Sequence, residues 1–174
     1  MARMIVLLRG INVSGKNKVP MADLRSALSA AGFEGVATYI QSGNIAVDTD
    51  LDDDDLIAQV EALLVEHFDV HVPAVSVGQA DLAALEASSP FPKDADPAID
   101  LIYFPLNDVD GAGIEALDPT THPGDTITAT RNAVYVAYGQ GQSKSKLTVD
   151  RLEKAAGTTL TGRNLRSVAK LKSL

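Results

Sequence analysis

The sequence predicts an α+β protein in which a strand-helix-strand-strand-helix-strand pattern is followed by an incomplete second copy, and three observations lead there. Ile5-Val6-Leu7-Leu8 is a continuous apolar run bounded by charge and glycine, which suits a buried central strand. Two shorter strand-like runs follow, and then Leu56, Ile57, Val60, Leu63, Leu64 and Phe68 recur at helical spacing. A proline-rich break, SSPFPKDADP, separates this half from a second series of apolar runs that starts at Asp100.

Each element has a local reason. Pro20 starts a helix, because its missing N–H costs nothing at the first position. Leu24, Ala27, Leu28 and Ala31 give that helix its apolar face, and Gly32 is placed to end it. Val36 to Ile40 and Asn44 to Val47 read as strands joined by the short turn Gln41-Ser42-Gly43. The acids Asp52 to Asp55 open the second helix, where they complement its dipole. Val72 to Val77 closes the first half as a strand, giving a ferredoxin-like order, and a helix at about Ala80 to Ala87 leads into the break.

The second half reads as a strand from Asp100 to Phe104, a weak helix at about Val109 to Leu117, and a hairpin turning at Arg131-Asn132. Two closing helices are expected at about 148–156 and 162–171, with no clear final strand. The expected architecture is therefore two ferredoxin-like halves, residues 1–90 and 98–174, with antiparallel sheets, helices on one face and the second half incomplete. The halves either form one compact unit or stand as two.

A chain of 174 residues is one ordinary domain or two small halves, and none of its residues is cysteine, so disulfides and thiolate metal sites are excluded. Its apolar runs are far shorter than a membrane span, and MARMIVLLRG is too brief for a signal peptide. The cytoplasm is the expected compartment.

The net charge of −8 argues against general affinity for nucleic acid or anionic membrane, yet the charge is unevenly spread. Residues 1–25 carry a balance of +4 and residues 143–174 a balance of +6, against −18 for residues 26–142. Both ends are cationic.

Four stretches could use those cations. Gly10 to Lys16 spells G-x-x-x-x-G-K, a phosphate-binding loop lacking its last residue, because Asn17 stands where a magnesium-binding hydroxyl belongs. With a helix that begins only near Pro20, metal-dependent nucleotide hydrolysis is not expected. Arg9, Lys16 and Lys18 around two glycines still suit a phosphate or carboxylate without metal, and they equally suit a solvated connection. Gln41, Ser42, Gly43 and Asn44 suit a turn for conformational reasons alone. In a simple split fold this turn lies at the other end of the sheet from the first loop. The stretch GQGQSKSKLT places Ser143, Lys144, Ser145 and Lys146 ahead of a helix, the composition of an anion loop or a plain mobile one. The segment GRNLRSVAKLKSL is a basic terminal helix whose cations also complement its dipole.

Other chemistries are poorly served. His67 and His71 stand four apart across a helix end, and His122 sits in a turn with Pro123 and Gly124, so no zinc centre is expected. There is no G-x-S-x-G elbow, and aromatic residues, at 5%, are too few for an RNA-stacking sheet. No cofactor is implied.

LLRGINVSGKNKVPMADLR, TYIQSGNI and RNLRSVAKL together resemble the bacterial family known as domain of unknown function 1697 (DUF1697). The resemblance runs from about residue 4 to residue 171. It departs at Ser14, where the family often has a second glycine, and at Leu165, where it often has an aromatic. It implies a cytoplasmic α+β protein with ferredoxin-like halves and supplies no reaction or ligand. By motif it singles out Arg9, Gly10, Asn12, Lys16, Lys18, Gln41, Ser42, Asn44, Arg163 and Asn164.

Adding Gly15, Ser143 and Lys144 to these residues gives the expected anion site, a basic groove in which the two ends of the chain meet. Its expected ligand is a phosphorylated small molecule or a short single-stranded nucleic acid. The alternatives are a metal-independent enzyme of unknown reaction and a homodimeric interaction protein without a small ligand.

Overall fold

A computed structural model describes residues 1–91 and 95–174. Residues 92–94, within the proline-rich break, lie outside the described residues, and Lys93 with them. The chain divides into two compact units, Met1–Ala83 with Lys170–Leu174 and Ala84–Ala169.

The first unit holds β1 (Ala2–Leu8), α1 (Met21–Ala30), β2 (Glu34–Tyr39), β3 (Asn44–Thr49), α2 (Asp53–Phe68) and β4 (Ala74–Gly78), with α3 (Gln79–Ala87) beginning in it. Its sheet runs β2-β3-β1-β4 with every neighbour antiparallel. The apolar run behaves as its composition requires: Ile5, Val6, Leu7 and Leu8 are all fully buried in the middle of the sheet. On one face Val6, Leu8, Ile45 and Val47 pack with Leu24 and Leu28 of α1 and with Leu56, Val60 and Leu64 of α2. Pro20 stands one residue before α1, and Asp52 caps α2 by accepting from Asp55 N at 2.9 Å.

The second unit repeats the pattern with β5 (Leu101–Pro105), α4 (Gly111–Glu115), β6 (Thr126–Thr130), β7 (Ala133–Ala137), α5 (Val149–Ala156) and β8 (Leu160–Asn164), followed by α6 (Leu165–Leu171). Its sheet order, β6-β7-β5-β8, is the first unit's order element for element. The second half is therefore complete, which corrects the expectation that it lacked a final strand. Residues 160–164 pair with β5 from Pro105↔Leu160 to Leu101↔Asn164. Leu160-Thr-Gly-Arg-Asn hides this because glycine and a charge break the apolar alternation that marks a strand. Both have local reasons: a Cβ on Gly162 would stand 2.6 Å from Cε1 of Tyr103, and Arg163 is itself buried.

Inside the second core Tyr103 and Tyr138 join their hydroxyls at 2.7 Å, and Gln142 Nε2 donates to Tyr103 Oη at 2.9 Å. Burial pushes both phenols above their ordinary range. A phenol that keeps its proton in the fold but loses it near pH 10 when unfolded favours the fold below that pH and weakens it above. Alkaline spectrophotometric titration should show Tyr103 and Tyr138 ionising together with unfolding. The Tyr103→Phe variant should lose part of that alkaline sensitivity in urea melts.

Candidate functional site

The antiparallel register decides which loops meet. Leu7 pairs with Asn44 and Leu8 with Ala74, so the end of β1 lies beside the starts of β3 and β4. The loop after β1, the turn at residues 40–43 and the segment before β4 thus share one end of the first sheet. This corrects the expectation that the first loop and the hairpin lie at opposite ends. Short bonds confirm the meeting: Leu8 N donates to Gly43 O at 2.8 Å and Arg9 N to Pro73 O at 3.0 Å.

The loop is a small hairpin of its own. Asn12 N donates to Asn17 O at 3.0 Å and Lys16 N to Val13 O at 2.9 Å. Ser14 and Gly15 both have positive φ, +50° and +77°, the primed-turn arrangement that suits a two-residue connection. Gly15-Lys16 therefore belongs to a tight turn, with α1 starting only at Met21. The geometry is not that of a nucleotide-hydrolase phosphate loop, where the helix begins at the lysine.

Asn12 fastens this hairpin to its surroundings. Its Nδ2 donates to Val19 O at 2.9 Å and to Gln41 O at 2.8 Å, while its Oδ1 accepts from Val19 N at 2.9 Å. One side chain thus closes the base of the loop and ties it to the 40–43 turn. Asn17 adds a bond from Nδ2 to Gly10 O at 2.9 Å. Asn44 does the same for the turn: wholly buried, it donates to Tyr39 O at 3.0 Å and Ser42 Oγ at 2.9 Å. Gly43, with φ +76°, must lack a side chain, since a Cβ would lie 2.6 Å from Leu8 Cβ.

The side chains left facing solvent are of a different kind. Lys16, Lys18 and Gln41 are exposed, and neither lysine has an ion pair among the described residues. Arg9 is partly buried at the root of the loop. Val13 and Ile40 are 59% and 52% exposed, one on each of the two linked segments. Ile40 also holds φ +49°, a conformation that β-branched residues rarely adopt and that functional sites tend to retain.

The remaining predicted residues belong to the second unit. Ser143 and Lys144 are exposed in a short 3₁₀ turn, Gln142–Lys144, ahead of α5, whose first turn is capped by Thr148. Arg163 is buried within β8, donates from Nη1 to Gly162 O at 2.8 Å, and has its guanidinium pushed down to about 10 by burial. Asn164 accepts from Ser167 N at 2.9 Å at the start of α6. His122, which the sequence offers only as a poorly placed metal ligand, lies buried beside a cavity of this unit. Its proline-glycine context signals only a turn. Among the described residues no group of three His, Asp or Glu could hold a metal ion, and no helix is long and apolar enough to cross a membrane.

The model of the family described as "Protein of unknown function (DUF1697)" matches residues 1–135. Among solved structures, a conserved bacterial protein from Streptococcus pneumoniae matches with a TM-score of 0.73 and 25% sequence identity, over 99% of this chain and 97% of that one. No curated protein matches the chain.

The division between fastening and solvent-facing residues has a measurable consequence. Asn12→Ala strands the backbone N–H and C=O of buried Val19 and should lower stability by about 1–3 kcal/mol in urea denaturation. Lys16→Ala should stay within about 0.5 kcal/mol of the parent protein.

Proposed function

The chain belongs to the DUF1697 family, and on that premise we propose that it is a binding protein for a phosphate-bearing small ligand of the cytoplasm, seated at the loop end of the first sheet. The observation that carries this reading is the bond from Asn12 to Gln41 O. It couples the cationic 9–18 loop to the 40–43 turn, so that their exposed side chains stand on one fastened support.

In this reading Lys16 and Lys18 act as point charges on the phosphate, and Arg9 supplies a planar donor fork at the root of the loop. Gly10 and Gly15 give the backbone its left-handed turns. Asn12, Ser42 and Asn44 hold the segments in place, while Gln41 presents its amide to the ligand. Val13 and Ile40 offer aliphatic cover for an uncharged part of the ligand. In the second unit Ser143 and Lys144 stand on an exposed turn of their own, while Arg163 and Asn164 lie in β8. A compact anion suits this set better than extended duplex, which the net charge of −8 disfavours.

Titration of the full chain with a panel of nucleotides, phosphorylated metabolites and short single strands tests the reading. Each charge-assisted hydrogen bond lost in Lys16→Ala or Lys18→Ala should cost about 1.5–3 kcal/mol, roughly a 10- to 150-fold loss of affinity. Binding that survives the double substitution undiminished would remove the loop from the account.

A further inference from the structure

We propose that the second unit holds its own ligand site, a cavity between residues 120–125 and 140–146 that takes a small phosphate monoester of a polyol. This proposal is independent of the site at the end of the first sheet.

The cavity has a volume of about 220 Å³. That is roughly seven times the ~30 Å³ a water molecule fills in the liquid, and below the ~300 Å³ at which pockets for drug-sized ligands begin. A single ion would leave it largely empty, and a dinucleotide would not enter. A phosphate carrying a short hydroxylated chain is the right size.

Its walls are fastened at several points. Asp125 accepts from Gly139 N at 3.2 Å through Oδ1 and from Ser145 Oγ through Oδ2, which ties the 122–125 turn to the loop across from it. Gly139 presses directly on that turn, where a Cβ would lie 2.4 Å from Gly124 O. Arg151 of α5 donates to Lys146 O at 3.1 Å and to Thr121 Oγ1 at 2.7 Å, bridging the two walls from behind. Gln142 anchors the loop to Tyr103 below. Such a cavity is preformed and needs little reordering to bind.

The lining matches the ligand at both ends. Lys144 and Lys146 stand exposed on one wall with no ion pair among the described residues. The one carboxylate in the lining, Asp125, is already engaged by the loop. On the other wall Thr120 gives its hydroxyl hydrogen to Asp118 at 2.7 Å, leaving its oxygen to accept from a ligand hydroxyl. His122 stands in the same wall, only 5% exposed, with both ring nitrogens closed off from solvent and without a hydrogen-bond partner among the described residues, so its ring reports on the cavity wall and is not itself a ligand contact. Serine, histidine and aspartate line this cavity together, but the bare nitrogens of His122 touch neither Ser145 nor Asp125. The arrangement is a binding set and not a nucleophilic triad.

The test is an NMR titration of the full-length chain, labelled at histidine, with glycerol 3-phosphate, and with glycerol and inorganic sulfate as controls at matched ionic strength. The expected result is a saturable shift of the His122 ring signals by glycerol 3-phosphate. The affinity should fall about tenfold or more in the Lys144→Ala/Lys146→Ala double variant and stay unchanged in the Lys16→Ala/Lys18→Ala variant. Both pairs are exposed, so the fold tolerates the changes. His122 signals unmoved at millimolar glycerol 3-phosphate, an equal response to sulfate, or a shift preserved in the Lys144/Lys146 variant would each overturn the proposal. Failure of the first-sheet site alone would show as lost nucleotide binding with the His122 response intact.

Discussion

The pairing of β1 with antiparallel neighbours on both sides organises everything at the loop end of the first sheet. A strand between two antiparallel partners places its own exit beside both of their entries. The exit of β1 carries the glycine- and lysine-rich loop, the entry of β3 carries a tight turn with a buried asparagine, and the entry of β4 carries the segment ending at Pro73. The fully buried run Ile5 to Leu8 holds this register, because a one-residue slip would exchange the two faces of a strand whose helix-facing side is packed against α1 and α2.

Within that frame, amides and amines have separate jobs. Asn12, Asn17 and Asn44 direct their side chains to main-chain groups that the tight turns leave open, and at Asn12 and Asn17 this goes with a positive φ, a common use of asparagine. Lys16 and Lys18 turn outward. A loop held by its own side-chain-to-backbone bonds can keep two cations close in sequence without a carboxylate to steady them, and such preorganisation is what a site for a small anion requires.

The duplicated topology makes an instructive contrast. The two sheets have the same order, β2-β3-β1-β4 and β6-β7-β5-β8. The elaborated segments nevertheless sit at non-equivalent places: after β1 in the first unit and after β7 in the second. In the first unit the corresponding stretch after β3 is the short lead into α2, and in the second the corresponding stretch after β5 is the short lead into α4. Much of this could be read directly from the chain. The apolar run of β1, the stripe of α2 and the hairpin turn at residues 40–43 all stand out because their periodicity coincides with burial. The ferredoxin-like halves were legible from the order of strands and helices along the chain, but the meeting of the first loop and the hairpin was not, since it depends on β1 lying directly beside β3, a pairing distant in sequence. The strand at residues 160–164 was hidden for a different reason. Gly162 is dictated by the ring of Tyr103 nearly sixty residues away, and Arg163 is a buried charge where a strand signal expects an apolar residue. Lys16, Lys18 and Lys144 are exposed and Arg9 is partly buried, whereas the fastening role of Asn12 rests on a partner, Gln41, that only the fold supplies.

The central claim is that the 9–18 loop and the 40–43 turn act as one binding surface. Amide chemical shifts across a titration of the full chain with a phosphate-bearing nucleotide test it most directly. The account predicts that signals from Ser14 to Lys18 and from Gln41 to Gly43 move together along one saturation curve with a common midpoint. Shifts confined to one segment, or two curves with different midpoints, would contradict it.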